Sequence, residues 1–587
     1  MFFNGTACSN QLAPTLPAQK TFNLIFLEVS SLNQVVPPYY YMAYNHEIVI
    51  ERLENMRDLE LPGRSPVHAP VGMAATSHAL ATQAAIDVLK AGGNAVDGAI
   101  AAAAVQNVVE PGSTGIGGDC FCLYAPNGGS DIIAFNGSGK APMAANAQYY
   151  KDNNIDQIEQ TSPHAVTVPG ALDAWFQLNR DHGKLPMANI LAPAIKYARD
   201  GYPIASRVYQ DFLGAKELLA AEPSTAKIFL NDGEVPEVGS RHYQKELAAT
   251  LQKISDIGPE GFYKGDVAQD MVDYLQSKGG LHTMEDFANV KGDYVTPIST
   301  DFRGYKLHEC PPNGQGVIAL LLINIMKELD LDKASGPLTT ERIHQEIEAC
   351  RLAYTSRNIY LADPDFADVP VDEILSSSYA EHLRAQINPA SATVPPLDPK
   401  IPNHEDTVYI TVVDKDRNAC SLINTVFTSF GSGLTAPNTG ILLQSRGKAF
   451  SLDPAHPNCI EGGKRPLHTI IPAMLTKDNK TVMSFGVMGG QYQAFGQMQF
   501  LTRLLDYGMD IQEAMDCPRF MVDPFTGEVE IEGLVPDKIK QELTAKGHTI
   551  VTPDSPVGGS QAIWIDWDND MLTGGSDPRK DGCAIGY

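Results

Sequence analysis

A chain of 587 residues is long enough for several domains, or for one large domain with insertions. With 43% apolar and 19% charged residues it is an ordinary folded protein rather than a disordered one. Its net charge of −26 argues against nucleic-acid backbones and anionic membrane surfaces as partners, because both need basic patches.

Residues 1–70 read as a poorly ordered N-terminal extension. Phe22 to Leu32 is weakly apolar, but Glu28 interrupts it, and no basic n-region or small-residue cleavage site frames it. No run reaches about 18 apolar residues, so no transmembrane helix is expected. The nine cysteines are scattered without zinc-site spacing or a disulfide framework, which predicts reduced thiols and a cytoplasmic rather than periplasmic protein. No metal and no cofactor is expected.

Order is predicted from about Met73. Apolar residues at helical spacing mark a helix over 79–90, stopped by Gly92 and Gly93. Asn94 with Asp97 caps a second helix over 95–109, apolar all round and therefore buried. The loop GSTGIGGD, 112–119, lacks the Lys-Ser/Thr of a phosphate loop and reads as tight backbone packing. Strands follow at 120–124 and 131–135, then the turn NGSGKAP, 136–142. Residues 160–390 read as mostly helical, with helices at 187–199, 245–255, 317–329, 340–361 and 376–387. A Pro-rich run, 389–403, precedes the stretch DTVYITVVDKDRNACSLINTVFTSFGSG, 406–433. There Val408, Ile410 and Val412 alternate with Thr407, Tyr409 and Thr411, predicting a strand, and residues 419–427 return as the second arm of a hairpin. A short strand is expected at 440–443. Residues 464–475 lead into another strand, and Met483 to Gln493 places Gly489 and Gly490 between a strand and a helix over 492–507. Such a junction can aim backbone N–H groups at an oxyanion. Strands near 562–565 and 571–574 close the pattern.

If the bond between Asp406 and Thr407 were cut, Thr407 would carry a hydroxyl and an α-amine of its own. That amine has a reference pKa of about 7.7–8.0 and can accept the hydroxyl proton near neutral pH. Taken together with AGGNAVDGAIAA (91–102), GIGGD (115–119), VPG (168–170), RGY (303–305), FGSG (430–433), KRPLHTIIP (464–472), MGGQ (488–491) and SDPR (576–579), this hairpin resembles the γ-glutamyltransferase family of N-terminal-nucleophile hydrolases. The resemblance implies an α+β fold, a four-layer αββα sandwich, cut by its own chemistry before Thr407. The pieces would be a heavy subunit, 71–406 behind the extension, and a light catalytic subunit, 407–587, held as a heterodimer that could pair further. It implies Thr407 as nucleophile, Thr425 as its hydrogen-bonding partner, and Gly489 and Gly490 as the oxyanion pair.

Departures from the family point to the substrate. Where typical members hold a glutamyl α-ammonium with Asn, Asp and Gln, this chain has Phe427, Ala449 and Arg446. The serines that hold the α-carboxylate become His468 and Thr469, and Lys140 stands near the position of the usual arginine. A buried ammonium without acceptors is heavily penalised. The expected substrate is therefore a small-molecule amide whose acyl group carries a carboxylate but no α-amine, glutaryl- or oxamate-like, bound by Arg446, His468, Thr469 and Lys140. A conventional glutathione hydrolase is the alternative within the class. An unprocessed, non-catalytic scaffold is the rival outside it, and the intact Thr407, Thr425, Gly489 and Gly490 argue against that.

Overall fold

The computed structural model describes residues 63–329, 332–393 and 407–587. Residues 1–62 of the expected extension, and Asp406 of the expected cleavage pair, lie outside the described residues. The boundary drawn at 70 falls inside the fold. Val67–Ala69 form an edge strand paired antiparallel with Met571–Ser576, and Arg64 donates a hydrogen bond of 2.6 Å to the Gly582 carbonyl.

Two seven-stranded sheets form the centre. One runs, edge to edge, through Cys583–Gly586, Met73–Thr76, Val408–Val413, Ala419–Thr425, Asp119–Ala125, Ile133–Gly137 and Asp293–Val295. The other runs through Val67–Ala69, Met571–Ser576, Gly559–Asp566, Lys480–Met488, Ala473–Lys477, Tyr305–Glu309 and Ile298–Phe302.

Alternation along each strand decides what each face meets. Tyr409 and Val413 join Phe121, Leu123, Ile423, Ile470 and Ile563 in the apolar layer between the sheets. Ile410 and Val412, from the same strand, pack outward against the helices Ala79–Lys90 and Ala95–Val109. On the far side, Gly316–Met326, Thr340–Tyr360 and Tyr492–Leu505 cover the second sheet and meet Met483, Phe485 and Val487. The layers are therefore helix, sheet, sheet, helix, as the family resemblance implied. Ala95–Val109 is buried along its whole length, and Asn94 and Asp97 close its N-terminus with a reciprocal capping box. No helix among the described residues is long and apolar enough to cross a membrane.

The stretch 160–390 departs from its helical reading at Asp293–Val295, Ile298–Phe302 and Tyr305–Glu309, which supply edges of both sheets. These strands are short, and Asp301, Lys306 and His308 mask their apolar pattern. Residues 440–443 form only isolated bridges, Gly117 with Leu443 and Thr435 with Leu442, because Gly440 turns the backbone at φ 69°.

Candidate active site

The hairpin register builds the centre of the site. Val408 pairs with Asn424, so the next step of the antiparallel ladder brings Thr407 opposite Thr425. Their hydroxyl oxygens are 3.5 Å apart, longer than a formed O–H···O bond. Thr407 lies two residues before Tyr409 and shares its face, the one between the sheets. There Gln493, in the first turn of Tyr492–Leu505, donates from Nε2 to Thr407 Oγ1 at 3.3 Å. Ile471 N–H donates to Gln493 Oε1 at 3.2 Å and fixes which end of that amide faces the threonine. Thr407 is 1% exposed.

Gly489 and Gly490 follow the strand Lys480–Met488 with φ of 117° and 53°, conformations that L side chains rarely adopt. A Cβ on Gly489 would stand 2.8 Å from Gly558 Cα, so the position excludes a side chain on packing grounds as well. The Gly489 carbonyl accepts from Tyr492 N–H at 2.9 Å. The Gly490 carbonyl accepts from Gln315 Nε2 at 3.3 Å.

On the other side of Thr425 the chain turns sharply. Phe427 has φ 84°, a strained conformation for an aromatic residue, and its N–H donates to Thr425 Oγ1 at 2.9 Å. The turn lays the Phe427 ring against the Arg446 guanidinium, 3.7 Å from ring centre to Cζ. Arg446 is wholly buried. Its Nη1 donates to Thr469 Oγ1 at 3.3 Å, while Nε and Nη2 have no hydrogen-bond partner among the described residues. Burial lowers its pKa to about 9, opposed by the charge of Asp119, so it remains a cation at neutral pH.

Asp119 is the residue whose importance the sequence hid. The Gly-rich loop does pack tightly, as expected: a Cβ on Gly118 would collide with the Thr425 carbonyl. The loop also delivers a buried carboxylate. Asp119 Oδ1 accepts from Gly139 N–H and Gln444 Nε2, each at 2.8 Å, and Oδ2 faces His468 Nε2 at 3.0 Å. His468 is thereby turned to Asp119 rather than left open for substrate, and its Nδ1 accepts from Ile470 N–H at 3.4 Å. Burial, reinforced by Arg446, lowers its pKa to about 4 against the opposing pull of Asp119. A neutral imidazole that supports Asp119 therefore stands where a substrate-binding side chain was expected. Thr469 and Arg446 meet through that hydrogen bond. Lys140 does not join them. It lines a separate cavity of about 340 Å³ with Met143, Lys291 and Phe366, and none of Thr407, Arg446, His468 or Thr469 borders that cavity.

Among the described residues one group has metal-ligating character: His344, Glu348 and His548. Its lone pairs are already used. Arg351, a donor only, faces His548 Nδ1 at 3.1 Å, so the His548 proton sits on Nε2, 2.8 Å from His344 Nδ1. Arg351 also holds Glu348 Oε1 at 2.8 Å.

Two stacked sheets flanked by helices, with Thr407 opening a central strand of one and Gly489–Gly490 ending a strand of the other, make an N-terminal-nucleophile hydrolase architecture. The sequence matches the family profile "Gamma-glutamyltranspeptidase" over residues 81–587, and the chain belongs to that family. It is 38% identical over 521 residues to the "Glutathione hydrolase-like YwrD proenzyme" of Bacillus subtilis, covering 88% of this chain and 98% of that protein. It is 34% identical over 528 residues to the "Oxamate amidohydrolase proenzyme" of Klebsiella pneumoniae, covering 88% and 98%. Among solved structures, the cephalosporin acylase from Bacillus halodurans superposes with a TM-score of 0.83 at 38% identity, covering 91% of this chain and 99% of that one. The chain is thus an enzyme of the amidohydrolase and transferase class that this family comprises.

Proposed function

We propose that the chain cleaves itself before Thr407 and then hydrolyses an amide whose acyl group carries a carboxylate and no α-amine, of glutaryl or oxamate type. The observation that carries the substrate reading is Arg446: a buried guanidinium against the ring of Phe427, whose N–H holds Thr425 Oγ1, with two nitrogens lacking hydrogen-bond partners among the described residues. Buried donors of this kind are normally satisfied, and a planar carboxylate fits the guanidinium fork. Phe427 stands at a position where typical family members have an ammonium-binding side chain. The relatives named for oxamate and cephalosporin hydrolysis agree with an amide substrate outside the γ-glutamyl set.

In the scission step Thr407 Oγ1 attacks the Asp406 carbonyl, and the acyl group shifts from nitrogen to oxygen. Water hydrolyses the resulting ester, leaving a carboxylate on Asp406 and an α-amine on Thr407. In turnover that amine takes the Oγ1 proton as the oxygen attacks the substrate carbonyl. Gln493 orients the attacking oxygen through its hydrogen bond. The Gly489 and Gly490 N–H groups stabilise the oxyanion, each donor being worth roughly 2.7–4 kcal/mol in the transition state. The amine returns its proton to the leaving nitrogen, and water resolves the acyl-enzyme.

Two measurements test this. Thr407→Ala is expected to give one band on a denaturing gel where the wild type gives two, and no turnover. Cleaved enzyme is expected to prefer a glutaryl anilide to its γ-glutamyl counterpart. Clear preference for the γ-glutamyl compound overturns the substrate class and favours a glutathione hydrolase, and an active Thr407→Ala overturns the mechanism.

A further inference from the structure

The glycine pair has little in its own chemistry to hold it still. Gly490, at φ 53°, has access to more backbone conformations than any other residue type would. The surrounding side chains therefore set which way its peptide groups point. Because a peptide is planar and trans, the Gly490 N–H points opposite to the Gly489 carbonyl. Tyr492 N–H holds that carbonyl at 2.9 Å. The following carbonyl, that of Gly490, is held by Gln315 Nε2 at 3.3 Å, and that of Gln491 by the Tyr354 hydroxyl.

Gln315 is itself held. Its Oε1 accepts from Arg357 Nη1 at 3.2 Å, and the same guanidinium nitrogen donates to Gln491 Oε1. Arginine has donors only, so both glutamine oxygens must face it. That turns Gln315 Nε2 towards the Gly490 carbonyl and, at 2.9 Å, the Thr469 carbonyl. Arg357 comes from the last turn of the helix Thr340–Tyr360, is wholly buried, and lies 4.5 Å over the Tyr354 ring. Its Nε and Nη2 donate to Asn358 Oδ1 at 3.1 and 3.0 Å. Among the described residues it forms no ion pair with a carboxylate. A buried cation without a counter-ion is costly, and an apolar residue would pack a helix core more cheaply.

We propose that Arg357 and Gln315 are positioning residues: a clamp, remote from the reacting atoms, that fixes the Gly489–Gly490 turn in its oxyanion-binding orientation. The inference rests on the reading of Gly489 and Gly490 as oxyanion donors.

The test is Gln315→Glu, which is isosteric and keeps an acceptor for Arg357 but replaces the donor facing two carbonyls. Arg357→Lys, which keeps the charge and loses the fork, is the second variant. Both are assayed per mole of cleaved protein, with the best anilide of the substrate panel. Gln315→Glu is expected to lower kcat about 10²-fold with KM within about 3-fold of wild type. Affinity for a boronic acid that mimics the tetrahedral intermediate should fall in step with kcat/KM, while inhibition by the planar carboxylate product stays unchanged. Arg357→Lys should show the same pattern at about a tenth of wild-type kcat. A normal kcat, a rise in KM alone, or an equal loss of boronate and product affinity in both variants overturns the clamp. If Thr407→Ala is inactive while these variants turn over normally, only the clamp falls. If Thr407→Ala is active, the parent mechanism falls first.

Discussion

Arg446 and Arg357 are both wholly buried, both stack on an aromatic ring, and neither pairs with a carboxylate among the described residues. They differ in where their donors go. Arg357 spends Nε and both Nη atoms on Asn358, Gln315 and Gln491, all amides of the protein itself. Arg446 spends one, on Thr469, and leaves two unmatched among the described residues. Burial lowers both pKa values, to about 10 and about 9, so each stays charged at neutral pH. The contrast separates two uses of one residue type. A guanidinium saturated by neutral amides belongs to the scaffold and can aim neighbouring groups. A guanidinium held from behind by a ring, with donors left over, is complete only when a ligand supplies the acceptor.

The largest effect should come from breaking the second kind. Arg446→Met is expected to lower kcat/KM for a glutaryl-type anilide by about 10²–10³-fold, in line with roughly 2–5 kcal/mol for removing one partner of a buried charge pair. An uncharged acyl anilide of the same length should lose far less. A steady-state comparison of the two substrates reads the difference directly, and equal losses on both would assign Arg446 to packing.

Acid sharpens the same comparison at a smaller scale. His468 sits between Arg446 and Asp119, and its pKa of about 4 in the folded protein lies below the ordinary 6.5. The unfolded chain therefore takes up a proton near pH 6.5 that the folded chain refuses until about pH 4. The contribution to stability is complete above pH 6.5 and is lost as pH falls through that window, a change of about 3 kcal/mol at most. His78, His242, His282 and His308, each lowered to about 4 by burial, add in the same direction. Denaturant midpoints should fall steeply between pH 6.5 and 4. Arg446 is the second cause of the His468 shift, so Arg446→Met should lose less stability on acidification than wild type, while Arg357→Lys should match wild type.

The sequence exposed the parts of this molecule that repeat. The alternation at 408–412 and the Asn94–Asp97 cap are periodic or positional signals, and both led to the right element. The four-layer arrangement itself came from the resemblance rather than from any pattern. Thr407, Gly489 and Gly490 stood out in the sequence at the ends of recognisable elements, whereas Thr425 came from the resemblance alone. Arg357 did not stand out. A basic residue in the last turn of a long helix looks like an ordinary solvated helix-end cation, and only the packing of Thr340–Tyr360 against the second sheet shows that it is buried. Asp119 was hidden for a different reason. It ends a glycine loop whose tight packing was expected, and nothing local tells that its carboxylate gathers His468, Gln444 and Gly139 from three distant segments. Polar hubs depend on long-range contacts, which periodicity does not encode.

Lys140 gives the smallest expected effect and the cleanest control on the arginine comparison. Its sequence position suggested a second cation for the substrate carboxylate. In the fold its carbonyl accepts from Val168 N–H at 3.0 Å, which fixes the backbone of the turn, while the residue borders a cavity that the Thr407 site does not share. A half-exposed ammonium in such a place is screened by water and counter-ions. Lys140→Ala should therefore change kcat/KM for the glutaryl-type anilide less than about 2-fold, within the range that long-range charge alone can move. A loss comparable to that of Arg446→Met would mean that the turn closes over the substrate during turnover, and the carboxylate would then have two cationic partners rather than one.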